Sequence, residues 1–312
     1  MKKLNFCILL ILSVSILNGC SINKDNMEDI DIYTTIYPIK YLINSLYGEN
    51  STIYSIYPSG VDTNTFELSE KKIEEYSNTD LFVFNSLDRD RDFAVKMINM
   101  NKNLKVIDVS LGMTYDHDIA ELWLNPYNYL MMAQNTKDGL LEYVSNPYLI
   151  SNTDGTGIED KYEELRYDLS RLDADMKENI SLATYKTIVV DNDMFKFLEK
   201  YDLRVISLEE NDSLTDSTIN EVKKLINTGQ IRYIYSSSNE SNETVKGIIN
   251  SYNVELVTIN TMQTIDGGIT NSNENYITVM NNNLDLLNKE LYKWYEPRFL
   301  DKIETRFFIC QN

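Results

Sequence analysis

The chain is nearly without histidine: His117 is the one imidazole in its 312 residues. That scarcity excludes a metal site built on two or three imidazoles, and it leaves no Ser–His or Cys–His pair away from position 117. Cysteine is almost as sparse, with Cys7, Cys20 and Cys310 the three present. Five prolines and 11 glycines are too few for a low-complexity or extended architecture. Positive charge is short as well: 29 Lys+Arg stand against 48 Asp+Glu, a net charge of −19. Such a surface repels nucleic acid and attracts cations, without saying which cation. What is plentiful is apolar residue, 43% of the chain, enough at this length for two modest cores.

The first residues carry a localisation signal. Lys2 and Lys3 precede the apolar run "FCILLILSVSIL", which is too short to span a bilayer comfortably. The run ends in "LNGC", with Leu17 at −3 and Gly19 at −1 relative to Cys20, and this looks like a bacterial lipobox. The expectation is a signal peptide over 1–19, lipid on Cys20, and a polar tether over 20–29; an uncleaved anchor or an ordinary signal peptide is the alternative. Loss of Cys7 with the signal and lipidation of Cys20 leave only Cys310, so no intramolecular disulfide forms. The address is extracytoplasmic, on the cell membrane.

From Ile30 onward, short β-rich runs alternate with amphipathic helical segments. "DIYTTIY", "STIYSIY", "DLFVFN" and "KVIDVS" read as strands, with helices in "IKYLINSLYG", "SEKKIEEYSN" and "RDFAVKMINMN". The second half repeats the scheme with strands "KTIVVDN", "LRVISLE", "IRYIYSS" and "VELVTIN" and helices "DMFKFLEKY", "TDSTINEVKKLINTG" and "NETVKGIINSY". Between the halves, Leu165, Leu169, Leu172 and Met176 recur at helical spacing, which predicts one long amphipathic helix over 158–182. The fold class is therefore α/β: two Rossmann-like lobes with parallel sheets, joined by a rigid helix, with a ligand cleft between lobes. The expected boundaries are 30–150 for the first lobe, 151–183 for the linking helix, 184–295 for the second lobe and 296–312 for a tail of unknown role.

His117 sits in "YDHDIAELWLNP", flanked by Asp116 and Asp118 with Glu121 beyond. Two readings stand: a transition-metal site, or a histidine in an acidic loop. Four segments bear on the choice: "YPSGVDTNTFELSEKKI", "ELWLNPYNYLMMA", "VVDNDMFKFLEKYDL" and "VTINTMQTIDGG". Taken in order over roughly residues 30–292, they resemble the substrate-binding lipoproteins of bacterial zinc and manganese ABC importers, a family with a rigid linking helix and some adhesin-named members.

The family writes its first motif Pro-x-Gly-Val-Asp-Pro-His, and the resemblance puts Asn64 in the histidine position. The second motif, Asp-Pro-His-x-Trp-Leu-Asp-Pro, puts Glu121 there, two residues before Trp123. Counting back from Phe195 places Asn192 at the third ligand position, and the family's late aspartate matches Asn260. By resemblance the cofactor is a divalent cation, Zn2+ or Mn2+, and the partner an ABC permease, with the protein a monomer. Yet three neutral carboxamides and one carboxylate leave a dication under-neutralised in a partly buried cleft. Carboxamide oxygen suits Ca2+ or Mg2+ better, but those ions also want several carboxylates. Weak or absent Zn2+ and Mn2+ binding is expected, unless His117, Asp118, Asp191 and Asp193 substitute as ligands.

Asn125-Pro126 reads as a helix cap and first turn, Trp123 as packing, and Glu67 as a structural hydrogen-bonding acid. The leading function is a solute-binding lipoprotein of a metal-type ABC transporter with a degenerate site. The alternative is a repurposed surface adhesin or scaffold. An enzyme is not expected, since no nucleophile elbow or two-histidine metal motif is present.

Overall fold

The computed structural model describes residues 26–263 and 274–292. Cys7, Cys20, Cys310 and the signal, most of the tether and the tail expected from sequence lie outside the described residues. The first lobe runs β1 (Ile30–Thr34), α1 (Tyr37–Tyr47), β2 (Ser51–Ser55), α2 (Glu70–Ser77), β3 (Leu81–Phe84), α3 (Asp90–Met100) and β4 (Lys105–Asp108). A one-turn helix α4 (Glu121–Leu124), α5 (Pro126–Tyr143) and α6 (Pro147–Ile150) lead into the linking helix α7 (Ile158–Leu182). The second lobe follows with β5 (Thr187–Val190), a 3-10 segment Asp193–Tyr201, β6 (Arg204–Ser207), α8 (Asp216–Asn227), β7 (Tyr233–Ser236), α9 (Glu243–Ser251), β8 (Glu255–Thr258) and α10 (Tyr276–Leu291).

Each lobe has a four-stranded parallel sheet, in the orders β2-β1-β3-β4 and β6-β5-β7-β8. Parallel neighbours need crossovers, and the helices that supply them cover the sheet faces. Burial follows from that layering. Inner strand β3, "LFVF", is buried at every position, whereas edge strand β2 alternates between partly buried and exposed. Open α/β sheets place ligand sites outside the carboxyl ends of their strands.

The linking helix forms over the predicted span. Leu165, Leu169, Leu172, Met176 and Ile180 are all buried, and its broadest contact is with α5. Each such side chain contributes roughly 1.5–3 kcal/mol by leaving water, so the stripe holds α7 against the first lobe. Capping agrees with the sequence as well. The Ser69 hydroxyl accepts from Lys72 N, and Asn125 Oδ1 accepts from Tyr127 N with Pro126 in the first turn.

One local expectation differs. "DMFKFLEKY" folds as a 3-10 segment rather than an α-helix. Its buried Phe195, Leu198 and Tyr201 fall three residues apart, the repeat of the 3-10 form. Gly48 ends α1 as the sequence predicts, with φ −59° rather than a left-handed conformation, and begins a 3-10 turn over Gly48–Asn50.

The lobes meet through an aromatic plug. Tyr276, first residue of α10, stacks on Tyr129 at 4.0 Å and on Tyr41 at 5.8 Å, both in the first lobe. Its hydroxyl donates to the Trp123 carbonyl at 2.6 Å, and the Trp123 indole N–H donates to the Thr261 carbonyl at 2.8 Å. Trp123 is wholly buried, as the packing role requires. Other tyrosines of the first lobe also find partners: Tyr33 stacks on Tyr54, Tyr47 donates to the Met27 carbonyl, and Tyr57 donates to Asp90.

Candidate functional site

All four positions aligned with family ligands come after strands in the chain, three in loops and Glu121 at the start of α4. Asn64 is beyond β2, Glu121 beyond β4, Asn192 two residues past β5, and Asn260 two residues past β8. Local bonding decides what each can offer.

Asn64 is exposed, in a turn where its N–H takes the Asp62 carboxylate at 2.9 Å. The Arg89 guanidinium donates to the carbonyls of Thr63 and Asn64 and pairs with the Glu67 carboxylate. Glu67 thus does structural work, holding a cation against the loop that carries the family's first ligand position. Asn192 caps the 3-10 segment: its Oδ1 accepts from Met194 N at 3.2 Å, and its Nδ2 donates to Ser237 Oγ at 3.1 Å. Asn260 Oδ1 accepts from Met262 N at 2.9 Å, while Asn283 bonds the Asn260 backbone on both sides. The carboxamide oxygens of Asn192 and Asn260 are therefore spent on their own chain.

Glu121 differs. It is 4% exposed at the start of α4; Oε2 accepts from Asp116 N at 3.2 Å, and Oε1 has no hydrogen-bond partner among the described residues. It lines a cavity of about 530 Å³ between the lobes. One wall is the loop from Gly112 to His117, another is Asn125, Asn128 and Met131 of the α5 region, and the third is Lys196, Phe197, Glu199 and Lys200 of the 3-10 segment. His117 is exposed and on this wall; Asn64, Asn192 and Asn260 do not line the cavity.

Asp118, Asp191 and Asp193, the acidic substitute ligands suggested by sequence, do not line this cavity. Burial pushes the Asp118 carboxyl up, the Ala120 N–H opposes this, and Asp193 and Asp88 push it further. Asp191 is 6% exposed and also raised, mainly by burial, with the Ser236 hydroxyl on Oδ2 offsetting part of the effect. For Asp193, burial is outweighed by the Ser207 hydroxyl and by Lys196, whose Nζ lies 2.9 Å from Oδ1, so its carboxyl is held below the ordinary range. Among the described residues no three His, Cys, Asp or Glu side chains gather closely enough to hold a metal ion.

Lys196 and Lys200 are the functional candidates that sequence reasoning passed over. Lys200 Nζ donates to Asp173 at 2.8 Å and to Asn125 Oδ1 at 2.5 Å, bridging the linking helix and the first lobe. The Asp193–Lys196 spacing of three is visible in sequence as an ion-pair signal; the Lys200 bridge spans 75 residues and is not. Arg89 in one lobe and Lys196 in the other place fixed positive charge beside the aligned ligand positions.

The family model described as ZnuA, zinc-uptake complex component A periplasmic, matches residues 32–290. Zinc-binding lipoprotein AdcA of Streptococcus pneumoniae serotype 4 is 23% identical over 312 residues, covering 92% of this chain and 60% of its own length. The metal ABC transporter substrate-binding lipoprotein SsaB of Streptococcus sanguinis is 24% identical over 319 residues, covering 94% of this chain and 100% of its own. The crystal structure of Zn(II)-bound AdcA from Streptococcus pneumoniae superposes with a TM-score of 0.66 at 20% identity, covering 84% of this chain and 58% of that one. YcdH, a metal-dependent lipoprotein from Bacillus subtilis, gives 0.66 at 19% identity, covering 84% and 99%. The chain thus spans about 60% of AdcA and all of SsaB, and its two-lobed fold is that of the ZnuA-like structures.

Proposed function

The chain belongs to the ZnuA family of zinc-uptake components, and from that membership we propose that it is an extracytoplasmic solute-binding lipoprotein of a metal-type ABC transporter whose metal site is degenerate. Zn2+ and Mn2+ bind it weakly or not at all. The family consists of solute-binding proteins rather than enzymes, so the function is capture and delivery to a membrane permease, and this protein works as a monomer. Lipid on Cys20 anchors it; the lipoprotein names of AdcA and SsaB support that placement. The first lobe, linking helix and second lobe, over 30–150, 151–183 and 184–295, move as the units that a permease reads.

The observation that carries the reading is the donor set at Asn64, Glu121, Asn192 and Asn260. A zinc or manganese site returns charge and strong donors to an ion stripped of water. Here one carboxylate remains, two carboxamide oxygens are held by backbone N–H groups, and Arg89 and Lys196 add positive charge nearby. Asp193, the nearest substitute, is already neutralised by Lys196. His117, Asp118 and Asp191 do not complete a set with it. The residues present therefore do not fit a desolvated transition-metal dication. Retention of the scaffold without its imidazoles also favours a second reading, a surface adhesin or scaffold with no transport role.

Elemental analysis of the full chain, purified in mild detergent without chelator, tests this. The expected result is far less than one Zn or Mn per chain. One metal per chain, retained through dialysis, would contradict the degenerate site.

A further inference from the structure

We propose that the cavity between the lobes binds a small organic cation, with an ammonium group against Glu121 and an apolar body against Tyr115, Met131 and Phe197. The inference rests on the reading that the metal site is degenerate, and it names the ligand class that the same cleft accepts instead.

Charge accounting in the cavity leads to it. Two ammonium groups line the wall, yet neither serves Glu121: Lys196 pairs with Asp193 at 2.9 Å, and Lys200 is held by Asp173 at 2.8 Å and by Asn125 at 2.5 Å. Glu121 is more than nine-tenths buried, with one carboxylate oxygen on the Asp116 N–H and the other enclosed and without a hydrogen-bond partner among the described residues, so its charge acts on the cavity as a field rather than through that oxygen. A buried anion without a counter-ion is costly, so the site is poised for a donor that carries positive charge. Asn128 stands beside it. Its Nδ2 is committed to the Glu121 carbonyl at 3.3 Å, which leaves its carboxamide oxygen to accept from the same ligand.

Size and lining then choose between kinds of cation. A volume of about 530 Å³ falls in the range of small-molecule sites and far exceeds one ion. Asp116, Glu199 and His117 also line the cavity, but among the described residues no three such side chains gather closely enough to hold a metal ion, so a dication finds no converging ligand set. A monovalent ammonium needs only one negative charge, and its N–H groups match a carboxylate and a carboxamide. Met113, Tyr115, Met131 and Phe197 give the same cavity a polarizable apolar wall. Tyr115 and Met131 are each 41% exposed, unlike packed core residues, so they are open to a ligand. Aromatic faces also favour cations over anions.

The test is calorimetric titration of the full chain in mild detergent with 2-phenylethylammonium. Phenylacetate and 2-phenylethanol serve as the anionic and neutral matches, and Zn2+ is titrated separately. The ammonium probe is expected to bind saturably, one per chain, and about 10-fold or more tighter than either match. Glu121→Gln, checked for an unchanged unfolding transition, removes that preference. Tyr115→Ala, at an exposed position, weakens the ammonium probe severalfold without altering its preference over phenylacetate. Phenylacetate binding as tightly as the ammonium would overturn the inference, because the lysines would then set the charge. So would equal ammonium binding by wild type and Glu121→Gln. No binding of any organic probe together with no binding of Zn2+ overturns this inference and leaves the degenerate-site reading standing. Stoichiometric Zn2+ binding overturns that reading, and this inference with it.

Discussion

Asp90 offers a perturbation whose size the structure sets. It opens helix α3 with its side chain buried, and the Tyr57 hydroxyl donates to Oδ1 at 2.6 Å. Burial dominates and pushes its carboxyl from 3.8 up to about 6, with nearby Asp88 adding repulsion. Because the folded value is raised, the folded protein keeps a proton that the unfolded chain has released. Stability from this group is therefore complete below about pH 4, falls as pH climbs through about 6, and is absent above. Two decades of pH at about 1.4 kcal/mol each give roughly 3 kcal/mol. Asp90→Asn retains an acceptor for Tyr57 and removes the charge. Urea unfolding of wild type and variant between pH 4 and pH 7 isolates the effect from the other carboxylates. The variant should gain on wild type as pH rises, approaching about 3 kcal/mol at neutral pH. A flat difference, or a wild type that gains on the variant with rising pH, would refute the reasoning.

Two other outcomes follow from packing. At Gly139, in α5, an added Cβ would meet Ile107 Cγ2 of β4 at 2.7 Å, so Gly139→Ala should cost about 1–3 kcal/mol in urea unfolding despite the better helix propensity of alanine. Tyr276→Phe keeps the ring stack but strips the Trp123 carbonyl of its donor, which should cost about 1–2 kcal/mol, while Tyr276→Ala should cost about 3–5 kcal/mol in the same assay.

Much of the architecture is legible in sequence because it rests on local periodicity. The spacing of Leu165, Leu169, Leu172 and Met176 marks α7 to its observed bounds, and the apolar runs that became β3 and β5 mark buried parallel strands. Ser69 and Asn125 announce their helices by capping chemistry. The 3-10 segment was less legible, since Phe195, Leu198 and Tyr201 fit a helical face whether the repeat is 3.0 or 3.6 residues. At the site, the sequence shows that His117 is the one imidazole available, but not what surrounds it. That Arg89 braces the Asn64 loop, that Lys200 reaches Asp173 and Asn125, and that Tyr276 plugs the first lobe are long-range contacts with no sequence period. They set the charge and rigidity of the cleft, so the chemistry of the site emerges only when the lobes are assembled.

Zinc affinity of the full chain, measured at pH 7 in competition with a chromophoric zinc chelator, tests the degenerate site most directly. The informative control is a variant carrying Asn64→His, Asn192→His and Asn260→Asp together, which restores the donors expected at those positions. The account predicts that wild type leaves the zinc with the chelator and that the restored variant withdraws it. Stoichiometric withdrawal of zinc by wild type would contradict the account, whatever the variant does.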